Sequence, residues 1–122
     1  MHRILLIDDN ADFRLVFQRR FAELGYQPIA VGDGVRGLQV VMEQAVHLVL
    51  LDWNMPHRGG LETLRLIRSL NADVPVLILT AYIEPTAIED ARRLGIGDIL
   101  YKPFGIKALA SAVRRQLGIT KT

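Results

Sequence analysis

Five times along its 122 residues the chain repeats one pattern: a short, mostly apolar run, then a longer segment whose apolar residues recur at helical spacing. Runs without polar alternation are strands buried on both faces, and strand-then-helix units in series build a parallel sheet covered by helices on both sides. The first strand is expected over residues 3–7, ending at Asp8-Asp9. A helix over residues 11–24 follows, with Phe13, Val16, Phe17, Phe21 and Leu24 on its inner face, Asn10 or Asp9 as its cap and Gly25 as its stop. Residues 26–31 form a weaker strand, and Gly32-Asp33-Gly34 opens a helix over residues 35–45. The third strand, residues 47–51, closes on Asp52. A loop with Pro56 and Gly59-Gly60 leads to a helix over residues 61–70, with Leu61, Leu64 and Ile67 inward. The fourth strand, residues 74–79, closes on Thr80, and Pro85 suits the first turn of a helix that runs to Leu94 and stops at Gly95. A fifth strand over residues 99–102 is halted by Pro103, and Ile106, Leu109, Val113 and Leu117 line the last helix. The expected architecture is α/β, doubly wound and single-domain, with residues 1–118 as the domain and 119–122 as a tail.

Composition narrows the function. Half of the residues are hydrophobic, enough for a sizeable core. With no Cys, a disulfide framework, a thiolate zinc site and a cysteine nucleophile are excluded. No apolar run approaches the roughly 20 residues that cross a bilayer, and the opening run meets Asp8-Asp9 too soon for a signal peptide. A cytoplasmic location without membrane attachment is therefore expected. The net charge is only +2, Lys occurs only at positions 102, 107 and 121, and the pairs Arg19-Arg20, Arg92-Arg93 and Arg114-Arg115 are spread along the chain. Direct nucleic-acid binding, which needs basic residues gathered on one face, is not expected.

Chemistry gathers at the carboxyl ends of the expected strands: Asp8 and Asp9, Asp52, Thr80 and Lys102. In an open parallel sheet these ends share the edge where ligands bind. Neighbouring strands lie about 4.8 Å apart, so a first strand beside the third would crowd three carboxylates within roughly 5 Å. At an effective dielectric near 20, each such pair repels by roughly 3 kcal/mol, which calls for a divalent cation, an ammonium or a held proton. Oxygen-only ligands favour Mg²⁺, which keeps open positions for phosphate oxygens. Lys102 starts roughly 10 Å from Asp52 across the sheet, and its long stem would carry its charge over the site. Each residue alone reads as a cap, a turn former or surface; their joint placement is what a metal-phosphate centre requires.

Asp8-Asp9, Asp52-Trp53-Asn54-Met55-Pro56, Thr80-Ala81 and Lys102-Pro103-Phe104, spaced as they are, resemble the receiver domain of bacterial two-component response regulators, including the chemotaxis receivers. The resemblance runs from about residue 3 to 117. It implies a flavodoxin-like sheet of order 2-1-3-4-5 with five helices. It implies Asp52 as phosphoacceptor from a sensor-kinase phosphohistidine, with Asp9, Asp52 and the Asn54 backbone carbonyl on Mg²⁺ and Asp8 acting through water. Lys102 and the Thr80 hydroxyl would hold the phosphoryl oxygens, and Lys102-Pro103 would be cis. The face of the fourth helix, fifth strand and fifth helix would change on phosphorylation. Implied partners are a sensor histidine kinase or phosphotransfer protein and a downstream output protein or domain, with room for a weak homodimer. Such a domain is not a turnover enzyme, although it catalyses its own phosphorylation and slow dephosphorylation. Ile99 stands where many receivers have a switching aromatic, so that readout is expected to be absent, with Tyr101 at a sheet edge or partner face. Arg58, Gly59 and Gly105 also depart from common choices, while Asn54 and Tyr82 hold positions that tune rates in the family.

Two rivals stand beside this reading. Gly32-Asp33-Gly34-Val35-Arg36-Gly37 is a literal GxGxxG between a strand and a helix, with Asp52 about 20 residues on, as in a dinucleotide-binding domain. Its pyrophosphate would sit beside the acidic cluster, and a full two-half unit needs more chain. A Mg²⁺-dependent phosphohydrolase is the other. His2, His47 and His57 are too scattered for a helical metal pair and are expected in solvated or loop-packing roles, His57 overhanging the acidic site.

Overall fold

The computed structural model describes residues 1–56 and 59–119. The expectations for His57, Arg58 and the last three residues lie outside the described residues. Strands and helices alternate: β1 (Arg3–Ile7), α1 (Ala11–Glu23), β2 (Gln27–Val31), α2 (Gly34–Glu43), β3 (Leu48–Asp52), α3 (Gly60–Leu70), β4 (Val76–Thr80), α4 (Pro85–Leu94), β5 (Asp98–Tyr101) and α5 (Ile106–Gln116). All strand pairs are parallel and the order is β2-β1-β3-β4-β5.

Boundaries follow local hydrogen bonding. Asn10, rather than Asp9, caps α1, its Oδ1 accepting from the Phe13 N–H at 2.9 Å. Asp33 does the same for α2 through the Arg36 N–H at 2.8 Å, so α2 opens at Gly34. Asn71 Oδ1 takes the N–H groups of Asp73 and Val74, both at 3.0 Å, and this turn delays β4 to Val76. Gly95 ends α4 at φ +84°, where a side chain would be strained. Arg68 secures the same corner, donating to Leu94 O and Val74 O at 2.6 Å each and to Gly95 O.

Alternation of side chains divides the core between the two faces. Ile4, Leu6, Leu50 and Leu77 pack with Phe17 and Phe21 of α1 and Leu109 and Val113 of α5. Leu5, Ile7, Val49 and Ile78 pack with Leu64 and Ile67 of α3 and Ala91 of α4. The inner face of α1 is narrower than expected: Val16 and Leu24 are 45% and 51% exposed. Phe13, Phe17 and Phe21 recur every four residues and make the contact of α1 with this core, leaving the other two on the flank. Helix α2 lies so close to β1 that a Cβ on Gly37 would fall 2.3 Å from Ile7 Cδ1. Gly37→Val is therefore expected to cost about 2–3 kcal/mol of stability in urea unfolding, part of it recovered by shortening the obstacle with Ile7→Val.

Candidate active site

Parallel pairing carries the site residues to one edge. Ile7 is in register with Leu51, so Asp8, the residue after β1, stands beside Asp52, the last residue of β3. Asp8 and Asp52 are 1% and 3% exposed, whereas Asp9 is open to solvent. One ligand oxygen from each of the three lies within 4.8 Å of the others, the crowding expected for adjacent first and third strands. Lys102, just past β5, spans the sheet edge and sets its Nζ 3.3 Å from Asp52 Oδ1 and 3.8 Å from Asp8 Oδ2. Its peptide bond to Pro103 is cis, and its backbone N–H donates to Thr80 O at 2.7 Å. The acidic turns are fixed from behind: the Asn10 N–H donates to Asp8 Oδ1 at 2.9 Å, the Asn54 N–H to Asp52 Oδ1 at 3.2 Å, and Arg14 Nη1 to Asp8 O at 2.9 Å.

Burial raises the Asp8 carboxyl above its ordinary 3.8; the Asn10 N–H opposes this, Asp52 and Asp9 add to it, and Lys102 pulls back. A carboxyl raised in the fold keeps a proton that the unfolded chain has released. Stability of the metal-free protein then falls as pH rises from the ordinary carboxyl value through the folded one, and stays lower above both. Asp8→Asn is expected to flatten that slope and to stabilise the metal-free protein at neutral pH by about 1–3 kcal/mol, the scale of one repulsive pair. Thermal melts in chelator across the acid-to-neutral range check this.

Those carboxylates suit a hard cation. Their donor atoms are all oxygen, and Asp8 Oδ2 is buried with no hydrogen-bond partner among the described residues, an unmet demand that Lys102 at 3.8 Å leaves open.

Thr80, the last residue of β4, is fully buried, yet its hydroxyl is turned into its own loop. Oγ1 lies 2.7 Å from Asn54 Oδ1 and 2.7 Å from Tyr82 O, and the Tyr82 N–H donates to it at 3.1 Å. The Asn54 side chain also accepts from the Ala81 N–H at 3.1 Å and donates through Nδ2 to Tyr82 O at 3.2 Å. Sequence reasoning assigned Asn54 a backbone metal ligand and, with Tyr82, a rate-tuning position implied by the resemblance, but not this bridge. The available signal was a carboxamide and a hydroxyl at the ends of adjacent strands, a donor-acceptor pair of matching length.

Other expectations resolve at a distance from the acidic edge. His2 and His47, far apart in sequence, meet at the opposite edge with ring centroids 5.4 Å apart. His47 Nδ1 accepts from the Arg3 N–H at 2.8 Å, so this is a packing role. Arg20 and Arg114, from pairs separated along the chain, line one groove between α1 and α5 with Lys107. The hollow at the GxGxxG turn is lined by Asp9 and Asp33, which would repel a pyrophosphate, and the dinucleotide reading is not supported. Ile99 packs into the core on the α4 side, while Tyr101, at the end of edge strand β5, is 51% exposed. No helix among the described residues is long and apolar enough to cross a membrane.

A doubly wound sheet of order 2-1-3-4-5 with buried carboxylates, a lysine and a threonine on its carboxyl edge defines a phosphoacceptor signalling class. Residues 4–114 match the family described as the response regulator receiver domain, and the chain belongs to that family. The sporulation initiation phosphotransferase F of Bacillus subtilis is 32% identical over 115 residues, covering 94% of this chain and 93% of that protein. Among solved structures, chemotaxis protein CheY4 of Vibrio cholerae superposes with a TM-score of 0.88 at 26% identity, covering 96% of this chain and 99% of that one. Response regulator protein TrrA of Thermotoga maritima, solved in complex with Mg(2+)-BeF, gives a TM-score of 0.82 at 29% identity, covering 96% and 100%. The chain is a receiver domain, a phosphoacceptor signalling switch.

Proposed function

We propose that Asp52 is the residue phosphorylated, accepting its phosphoryl group from the phosphohistidine of a sensor kinase or phosphotransfer protein in the cytoplasm. One observation carries this reading: a nearly buried carboxylate at the open sheet edge, with an ammonium 3.3 Å away and two further carboxylates within reach of one cation. An Asp52 oxygen attacks phosphorus in line; the P–N bond to the donor imidazole breaks, its electron pair returns to that nitrogen, and an acyl phosphate forms. Lys102 already stands beside the attacking carboxylate and meets charge on the phosphoryl group as it transfers. Asp9, Asp52 and the Asn54 carbonyl would hold Mg²⁺ directly and Asp8 would act through water; when bound, the ion neutralises charge between acceptor and phosphoryl oxygens. Self-phosphorylation and slow loss of the group are the only chemistry this requires.

The phosphoryl group then competes for Thr80 and Lys102, moving the loop after β4 and the face of α4, β5 and α5, where Tyr82 and Tyr101 are exposed to a downstream partner. A near-complete flip between two states needs about 5.5 kcal/mol, which two or three charge-assisted hydrogen bonds of about 1.5–3 kcal/mol each can supply. Incubation with a small phosphodonor and Mg²⁺ tests the assignment. Intact mass is expected to rise by one phosphoryl group, peptide mapping to locate it on Asp52, and chelator to abolish the gain; an adduct on another residue, or continued turnover of the donor as an ester hydrolase would show, refutes it.

A further inference from the structure

The Thr80 hydroxyl has one proton, and in this structure that proton is engaged. Asn54 Oδ1 and Tyr82 O both lie 2.7 Å from Oγ1 as acceptors. The two differ in where they belong. Tyr82 sits on the same loop as Thr80, so that contact can travel with the loop. Asn54 belongs to the turn after β3, and its side chain makes three hydrogen bonds across the gap: Thr80 Oγ1 and the Ala81 N–H donate to its Oδ1, and its Nδ2 donates to Tyr82 O. A shift of the β4–α4 loop away from the turn after β3 breaks the first and stretches the other two.

The geometry points to Asn54 as a positioning residue that sets the resting state of the switch, by holding the Thr80 hydroxyl and its loop away from the Asp52 carboxylate. This rests on Asp52 being the phosphoacceptor. A phosphoryl oxygen on Asp52 competes with two neutral acceptors, Asn54 Oδ1 and Tyr82 O, for one proton, and the charged acceptor wins because its hydrogen bond is the stronger. Release leaves nothing orphaned: Asn54 Oδ1 keeps the Ala81 N–H and Tyr82 O keeps Asn54 Nδ2 until the loop moves. The tie biases the equilibrium without blocking it.

Beryllofluoride with Mg²⁺, a phosphoryl stand-in, tests this on the full chain through the fluorescence of Trp53, the only tryptophan. Asn54→Ala is expected to bind it about fivefold more tightly, the equivalent of about 1 kcal/mol for one neutral hydrogen bond released. In a Thr80→Val background, with no hydroxyl to free, the same substitution is expected to change affinity by less than about twofold. Without ligand, Asn54→Ala should move the Ala81 and Tyr82 amide resonances toward their positions in the liganded wild type. Should Asn54→Ala not fold, Asn54→Ser, one atom too short for the bridge, takes its place. Unchanged or weaker binding in the Asn54 variant, or an equal gain in both backgrounds, overturns the positioning role and leaves the acceptor standing. A wild type that binds no beryllofluoride overturns the acceptor and this role together.

Discussion

Asp52→Asn is expected to take up no phosphoryl group from a small donor under conditions where the wild type is modified. The amide is nearly the same shape, so the fold and the loops around it are retained, but it is neutral and its oxygen is a poor nucleophile toward phosphorus. Among the described residues, neither neighbouring carboxylate is placed as Asp52 is. Asp8 is buried, with its carboxyl raised by that burial, and Asp9 is exposed, whereas Asp52 has the Lys102 ammonium 3.3 Å away. The same change removes one of three mutually repelling charges, so the metal-free variant is expected to melt above the wild type. Intact mass and a thermal melt on the same sample check both. A full-mass adduct in the variant would move the acceptor elsewhere.

Lys102→Met is expected to act in opposite directions on two ligands. Among the described residues its ammonium is the cation paired with both buried carboxylates, 3.3 Å from Asp52 and 3.8 Å from Asp8. It would also grip a phosphoryl oxygen, so its loss is expected to weaken beryllofluoride binding by about 10- to 100-fold, the range of one hydrogen bond to a charged group. Mg²⁺ alone competes with the ammonium for the same oxygens, and its affinity is expected to rise in the variant. Titrations followed through Trp53 separate the two effects, and weakening of both would mean that Lys102 holds the carboxylates in place rather than competing for them. Lys102→Arg is a poor control, because a planar fork cannot enter as a point charge does.

How much of this was legible before the structure differs by element. The three central strands were plain because Ile4 to Ile7, Leu48 to Leu51 and Val76 to Leu79 are buried on both sides and carry no polar residue. Edge strand β2 was fainter, since its partial exposure tolerates Gln27 and Pro28. The start of β4 was misread at residue 74 because Val74 is apolar; what delays the strand is the Val74 N–H donating to the Asn71 side chain, which periodicity does not register. The acidic cluster was legible because its members stand at the carboxyl ends of two plainly apolar strands, β1 and β3. The Asn54 bridge was not, because it depends on which way two loops lean toward one another.

The order of residues along the chain determined which side chains arrive at the carboxyl edge: in a right-handed parallel α/β sheet every strand ends on the same side, so a polar residue after each apolar run is delivered there whatever the strand order. Only the tertiary structure decided what they do on arrival. Placing β1 against β3 crowded the carboxylates, the reach of Lys102 across two strands answered their charge, and the lean of the β4–α4 loop turned Thr80 toward Asn54. Strand endings are set by local pattern, whereas distances of a few ångströms between groups from separate units arise only when the sheet closes around its core.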